Sequence, residues 1–222
     1  MKILYQILDI ADDAIYFSLA VVALFGVFTV IMVLRRIAQK RFARQEQADQ
    51  FLDEVRGSLQ AGNFNYITDE LCDSPAYWNK AVPQLILVAM ANRSLSSNKM
   101  RRLLAERFET DVLADLEYRT GWIATVVKTA PMLGLLGTVI GMINAFETIA
   151  GSGKTGVDPS DLAADIGVAL FTTALGLTVA IPLVIMGAAV HVKIGKLQDS
   201  VQQQLGFFLD DIDATRPDDG GS

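Results

Sequence analysis

Few side chains in this 222-residue chain could carry out bond-making chemistry. His191 is its single histidine and Cys72 its single cysteine. A Ser-His-Asp or Cys-His arrangement would have to use His191, which ends an apolar run and reads as an interfacial side chain. A lone cysteine forms no intrachain disulfide and no multi-cysteine metal site. Gly151-Ser-Gly-Lys-Thr155 approaches a phosphate-binding loop, but that pattern needs a glycine where Thr148 stands and a strand where a helix precedes. It reads instead as a polar hairpin. Its exit has Asp158, Pro159 and Asp161 in the N-cap, N1 and N3 positions of a following helix. No catalytic residue, metal site or cofactor is expected.

A second set of residues is more informative because it combines small size with hydroxyl groups. Gly134, Gly137, Thr138 and Gly141 fall close together, and Gly137-Thr-Val-Ile-Gly141 matches small-xxx-small helix packing. Ala169, Thr172, Thr173, Gly176 and Ala180 form a similar set, followed by Pro182. Small residues let two helix backbones approach closely. A threonine hydroxyl can bond a carbonyl of its own helix or line a wet path, and both readings stay open here. Asn144, one and a half turns beyond Thr138, is placed to cap or to bond across helices.

These residues lie within apolar blocks. The chain is 51% hydrophobic and 20% charged, and Ile15–Leu34, Thr129–Phe146 and Ile166–Val190 contain no Asp, Glu, Lys or Arg. At 1.5 Å per residue each block covers roughly 27–37 Å, against a hydrocarbon core of about 30 Å. The expected fold is all-α, an integral membrane protein with three transmembrane helices at 14–34, 129–150 and 164–190. The first block is too long for a cleavable signal, and aspartates rather than basic residues precede it. Arg35, Arg36, Lys40, Arg41 and Arg44 crowd its end, while Glu147, Asp158, Asp161 and Asp165 flank the connection between the second and third blocks. The positive-inside rule then predicts an N-out, C-in chain. Residues 1–13 and the 151–163 hairpin are expected outside, and 35–128 and 191–213 in the cytoplasm. Residues 214–222 are expected to form a disordered tail. The net charge of −6 gives no basic domain for nucleic acid.

The cytoplasmic parts read as helices that extend the spans. Phe51, Val55 and Leu59 recur every fourth residue, with Gly62 placed to end that helix. The run Leu85–Ala91 is too short to cross a bilayer and predicts a buried helix. Met100, Leu103, Leu104, Phe108, Val112 and Leu116 predict one long helix from about Ser97 through the second span, bent at Pro131. Ile194, Leu197, Val201, Leu205, Phe208 and Ile212 predict an extension of the third span that packs on the first two soluble helices.

No ionisable residue lies in the middle of any span. A self-sufficient proton carrier would need one, and three helices are too few to enclose a path alone. If ions cross here, a partner supplies the titrating group.

Residues Ala130–Phe146, containing Gly-Leu-Leu-Gly-Thr-Val with a further glycine at 141, resemble the ExbB/TolQ family of proton-channel subunits, more distantly related to MotA. So do Leu162–Pro182, with Thr172-Thr-Ala followed by Gly-Leu and Val-Ala-Ile-Pro. Weaker similarity includes Leu71-Cys-Asp-Ser-Pro75. The resemblance implies a pentamer in the bacterial inner membrane that encloses two copies of an ExbD/TolR-like single-span partner bearing a protonatable aspartate. On it, Thr138 and Thr173 match the threonines that face that aspartate. Gly134, Gly137, Gly141, Asn144, Thr172, Gly176 and Pro182 would serve the pore or its helix packing. Many relatives carry a glutamate where this chain has Val168, so that residue's role is not carried over, and Asp165 becomes the candidate for the outer mouth. The competing readings are a non-conducting membrane scaffold and a helper subunit of a transporter. An enzyme is not expected.

Overall fold

The computed structural model describes residues 2–151 and 159–215. The hairpin residues 152–158, including the Asp158 cap, and the tail from 216 onward lie outside the described residues. Six α-helices follow in order: α1 (Lys2–Lys40), α2 (Gln45–Gln60), α3 (Ala81–Ala91), α4 (Ser97–Phe108), α5 (Ala114–Gly151) and α6 (Pro159–Thr215). Two π-helical segments join them, Tyr66–Cys72 before α3 and Glu109–Leu113 between α4 and α5. No strand occurs among the described residues.

Three helices are long and apolar enough to cross a membrane. Only 28% of the most apolar stretch of each is buried. Leu24, Leu135, Phe146, Leu170 and Ile185 are among the large apolar residues left exposed. That much bare hydrocarbon side chain needs an apolar surrounding, which lipid or another protein supplies. Pro131 lies within α5 and Pro182 within α6, and each removes one helix hydrogen-bond donor.

The chain divides into two compact units, one of Met1–Met32 with Arg119–Ala189 and one of Val33–Tyr118 with Val190–Ser222. In the first, α1 packs through Gly26, where an added methyl would stand 2.7 Å from Leu183 and 2.9 Å from Val126. The Phe25 and Trp122 rings meet edge to face at 6.0 Å. Leucine side chains can close on α1 at that point because glycine leaves the room.

The second unit has a core of its own. Ala48, Phe51, Val55 and Leu59 form the buried stripe of α2, which ends with Gly62 at φ +70°, the left-handed position expected of it. The predicted buried helix appears as α3, with Leu85, Ile86 and Ala89 all but inaccessible. Leu197, Val201, Leu205, Phe208 and Ile212 of α6 are buried as their spacing required. Each such side chain contributes about 1.5–3 kcal/mol of burial. Phe42, Phe51 and Tyr77 stack around one another at 4.9–5.9 Å.

Helical backbone does run from Ser97 into the second span, but not as one regular α-helix. Glu109–Leu113 takes π geometry, so the buried positions step from Phe108 to Val112 and Leu113 before resuming at Leu116. At its far end α6 continues to Thr215. Its three aspartates there would oppose the helix dipole, and each has a partner. Asp211 accepts from Arg56 Nε at 2.9 Å, Asp210 from Arg101 at 2.9 Å, and Asp213 from the Ser97 hydroxyl at 2.5 Å. The extension is thereby tied to α2 and α4.

Cys72 is buried at the end of the first π segment, and burial pushes its thiol from the ordinary value of 9.0 up to about 12. The folded state thus disfavours the thiolate. Its contribution to stability is whole below pH 9 and is lost as pH rises from 9 to 12. A maleimide at pH 8 should leave Cys72 unmodified in the native protein and label it promptly after denaturation. Prompt labelling of the native chain would contradict this burial.

Candidate functional site

The small residues of α5 and α6 meet along one seam. A methyl on Gly134 would stand 2.8 Å from the Thr172 carbonyl oxygen and 3.0 Å from Thr173 Cα. On Gly137 it would meet Thr172 Cβ at 2.6 Å, and on Gly141 the Ala169 Cβ at 2.5 Å. On Gly176 it would stand 2.6 Å from the Ala130 carbonyl oxygen and 3.2 Å from Gly134 Cα. Real Cβ atoms essentially never come this close to another atom, so a side chain at any of these positions would force the helices or Thr172 to shift. The two helices are in contact backbone to backbone.

Hydroxyls cross this seam. Thr173 donates to the Gly134 carbonyl at 3.0 Å. Thr172, buried, stands 3.2 Å from the same carbonyl and 2.7 Å from that of Ala169. Thr138 donates to the Leu135 carbonyl of its own helix at 2.7 Å and keeps part of its surface open. A hydroxyl has two lone pairs besides its proton, so Thr138 and Thr173 each retain acceptor capacity.

The site residues expected from the sequence therefore separate by position. Gly134, Gly137, Gly141, Thr172, Thr173 and Gly176 all lie on the seam. Thr138 sits one turn beyond Gly134 on α5, and Asn144 is half-buried, its carbonyl accepting from Thr148 at 3.0 Å. Pro182 and Val168 are exposed on α6. Asp165, half-buried, accepts from the Thr148 hydroxyl at 3.0 Å across the two helices.

Sequence reasoning missed two seam residues, Ala130 and Thr148, and the close approach at Gly26 on α1. Ala130 and Gly26 offer backbone or space rather than function, so nothing about their type distinguished them. Thr148 carried a readable signal, since Gly134, Gly141 and Thr148 recur every seventh residue along one helix face. Among the described residues no group of three or more His, Cys, Asp or Glu side chains could hold a metal ion.

The closeness of the seam generates a contrast between glycines. Gly137→Ala and Gly176→Ala should each lower stability by about 1–3 kcal/mol through overpacking. Gly57→Ala on α2, where an added methyl meets nothing within 4 Å, should stabilise by about 0.5–1 kcal/mol. Thermal unfolding of the three purified variants checks the order.

Comparison with known proteins agrees with this geometry. Residues 78–203, which contain the whole seam, match the model of the MotA/TolQ/ExbB proton channel family. The chain is 27% identical over 182 residues to an ExbB homolog from Methanothermobacter thermautotrophicus named for biopolymer transport, covering 82% of this chain and 61% of that one. It is 32% identical over 100 residues to the Tol-Pal system protein TolQ of Haemophilus influenzae, covering 45% and 41%. With the biopolymer transport protein ExbB of Pseudomonas putida it shares 37% over 110 residues, covering 46% and 33%. The chain thus spans from a third to three-fifths of these relatives. With more than half of its length matched by the family model, a helix pair joined by glycines and three membrane-length helices, this multi-pass membrane protein belongs to the MotA/TolQ/ExbB proton channel family.

Proposed function

We propose that the chain is the ring-forming subunit of a motor driven by the proton-motive force in the bacterial inner membrane. Five copies surround an ExbD/TolR-like single-span partner, whose membrane aspartate takes up and releases the proton. The chain lies N-out and C-in, with residues 35–128 and 191–213 in the cytoplasm. The partner transmits work to a periplasmic or outer-membrane process.

The observation that carries this reading is the pairing of hydroxyls with glycine contacts along the charge-free middle of the seam. Thr173 is anchored on Gly134, Thr138 lies one turn along α5, and the apolar blocks carry no charge of their own. A carboxylate moved into such surroundings prefers its neutral form, because burial penalises the charge. Hydroxyls at Thr138 and Thr173 solvate the charged form for long enough to exchange its proton, without adding a fixed charge that would trap it. A potential of about 100 mV is worth roughly 2.3 kcal/mol per charge, enough to bias the direction of stepping. The exposed apolar faces of α1, α5 and α6 are where lipid, partner and neighbouring copies are accommodated.

Thr173→Val, with expression intact, should abolish client function and proton flux in liposomes that hold the chain and its partner. Thr173→Ser should retain both. Unchanged client activity in the valine variant would remove Thr173 from the ion path. A wild-type complex that passes no protons would favour the scaffold reading.

A further inference from the structure

One hydrogen bond of the seam involves a group that the threonine pair does not require. At the ends of α5 and α6 that residues 152–158 connect, the Thr148 hydroxyl lies 3.0 Å from the Asn144 carbonyl oxygen and 3.0 Å from Asp165 Oδ2. A threonine has one hydroxyl proton to donate. With Asp165 ionised, that proton is divided between two acceptors. With Asp165 protonated, its own O–H donates to Thr148 Oγ1, and the threonine proton is free to serve Asn144 in full. The two contacts are complete hydrogen bonds at the same time only in the protonated state.

We infer that Asp165 is a proton-exchange site belonging to this chain itself, and that Thr148 is its positioning residue. The inference rests on the proton-conducting reading and extends it, since that reading assigns the titrating carboxylate to the partner alone. Position supports it. Asp165 precedes Thr172 by seven residues and so faces α5 along the same line as the glycine contacts. Its bond to Thr148 is made beyond the last of those contacts, Gly141 with Ala169. In the exchange a hydrated proton forms an O–H bond with the Asp165 carboxylate, leaving water. The reverse step returns the proton to water or to the partner's carboxylate, and the threonine finishes with the one proton it began with.

Other ionisable groups lie close to this pair in sequence or belong to the helix packed in the same unit. On α5, Glu147 adjoins Thr148. On α1, Asp13 and Tyr16 lie near the start of the apolar block. On α6, Asp161 is one turn before Asp165, and Lys154 and Asp158 belong to the connecting segment; the side chains of these last three lie outside the described residues.

Two experiments test the assignment. Dicyclohexylcarbodiimide attacks protonated carboxyl groups in apolar surroundings, so the purified chain should carry an adduct on the Asp165 peptide that is missing from Asp165→Asn. Proton flux through the complex with its partner should fall by about tenfold or more in Asp165→Asn. Thr148→Val should also reduce it, whereas Asp165→Glu and Thr148→Ser should stay near the wild type. An unmodified Asp165 peptide, or wild-type flux in Asp165→Asn, would overturn the assignment. If Thr173→Val stops flux while Asp165→Asn does not, the pore reading survives and this one fails. If the wild-type complex passes no protons, the pore reading itself has failed.

Discussion

Everything in the membrane-crossing unit depends on how closely α5 and α6 approach. At Gly134, Gly137, Gly141 and Gly176 the separation leaves no room for a single methyl group. In lipid, apolar side chains gain little by leaving one hydrocarbon for another, so helix association must come from close packing and hydrogen bonds. Glycine permits the first by exposing backbone, and the exposed backbone invites the second. The Gly134 carbonyl, reached by both Thr172 and Thr173, shows the two effects at one atom. The hydroxyls of this unit are positioned because the glycines around them are missing side chains.

The second unit is held by different means. It has a conventional core around Phe51, Ile86, Leu104 and Phe208, with charges at its margin. Its ion pairs are largely exposed and individually weak, about 0–1 kcal/mol each. They matter as partners for acids at the end of α6, where unpaired carboxylates would oppose the helix dipole. Burial thus sets the stability of this unit, while the pairs with Arg56 and Arg101 fix where α6 ends upon it.

Much of this was legible before any coordinates. The three spans were readable because charge is costly in hydrocarbon, so its exclusion leaves long uninterrupted blocks. The glycine seam was readable because small residues in small-xxx-small spacing have few other uses in such a block. Gly62 was readable because a positive φ suits few residues. Other features left no local mark. The π segment at Glu109–Leu113 differs from an α-helix by one residue in its hydrogen-bond spacing, and its composition is ordinary. The pairing of Asp211 with Arg56 spans 155 positions and belongs to no periodicity. Thr148 was read only as a residue that spoiled a nucleotide-binding pattern. Its real neighbour, Asp165, lies seventeen residues further on, on the other helix, and no periodicity relates the two.

The seven-residue recurrence of Gly134, Gly141 and Thr148, opposed by Asp165 with Thr172 and by Ala169 with Gly176, has a mechanical consequence. A straight helix gains about 20° over each heptad, so a contact line with strict sevenfold spacing winds the two helices left-handedly about each other. Sliding along such a line also requires turning, as with a screw in its nut. Small residues also recur about one turn apart on both helices, at Ala130, Gly134, Gly137 and Gly141 and at Ala169, Thr172, Gly176 and Ala180. The next register that seats small residue against small residue therefore lies about 5.4 Å away, and reaching it requires the two helices to turn about each other as they slide.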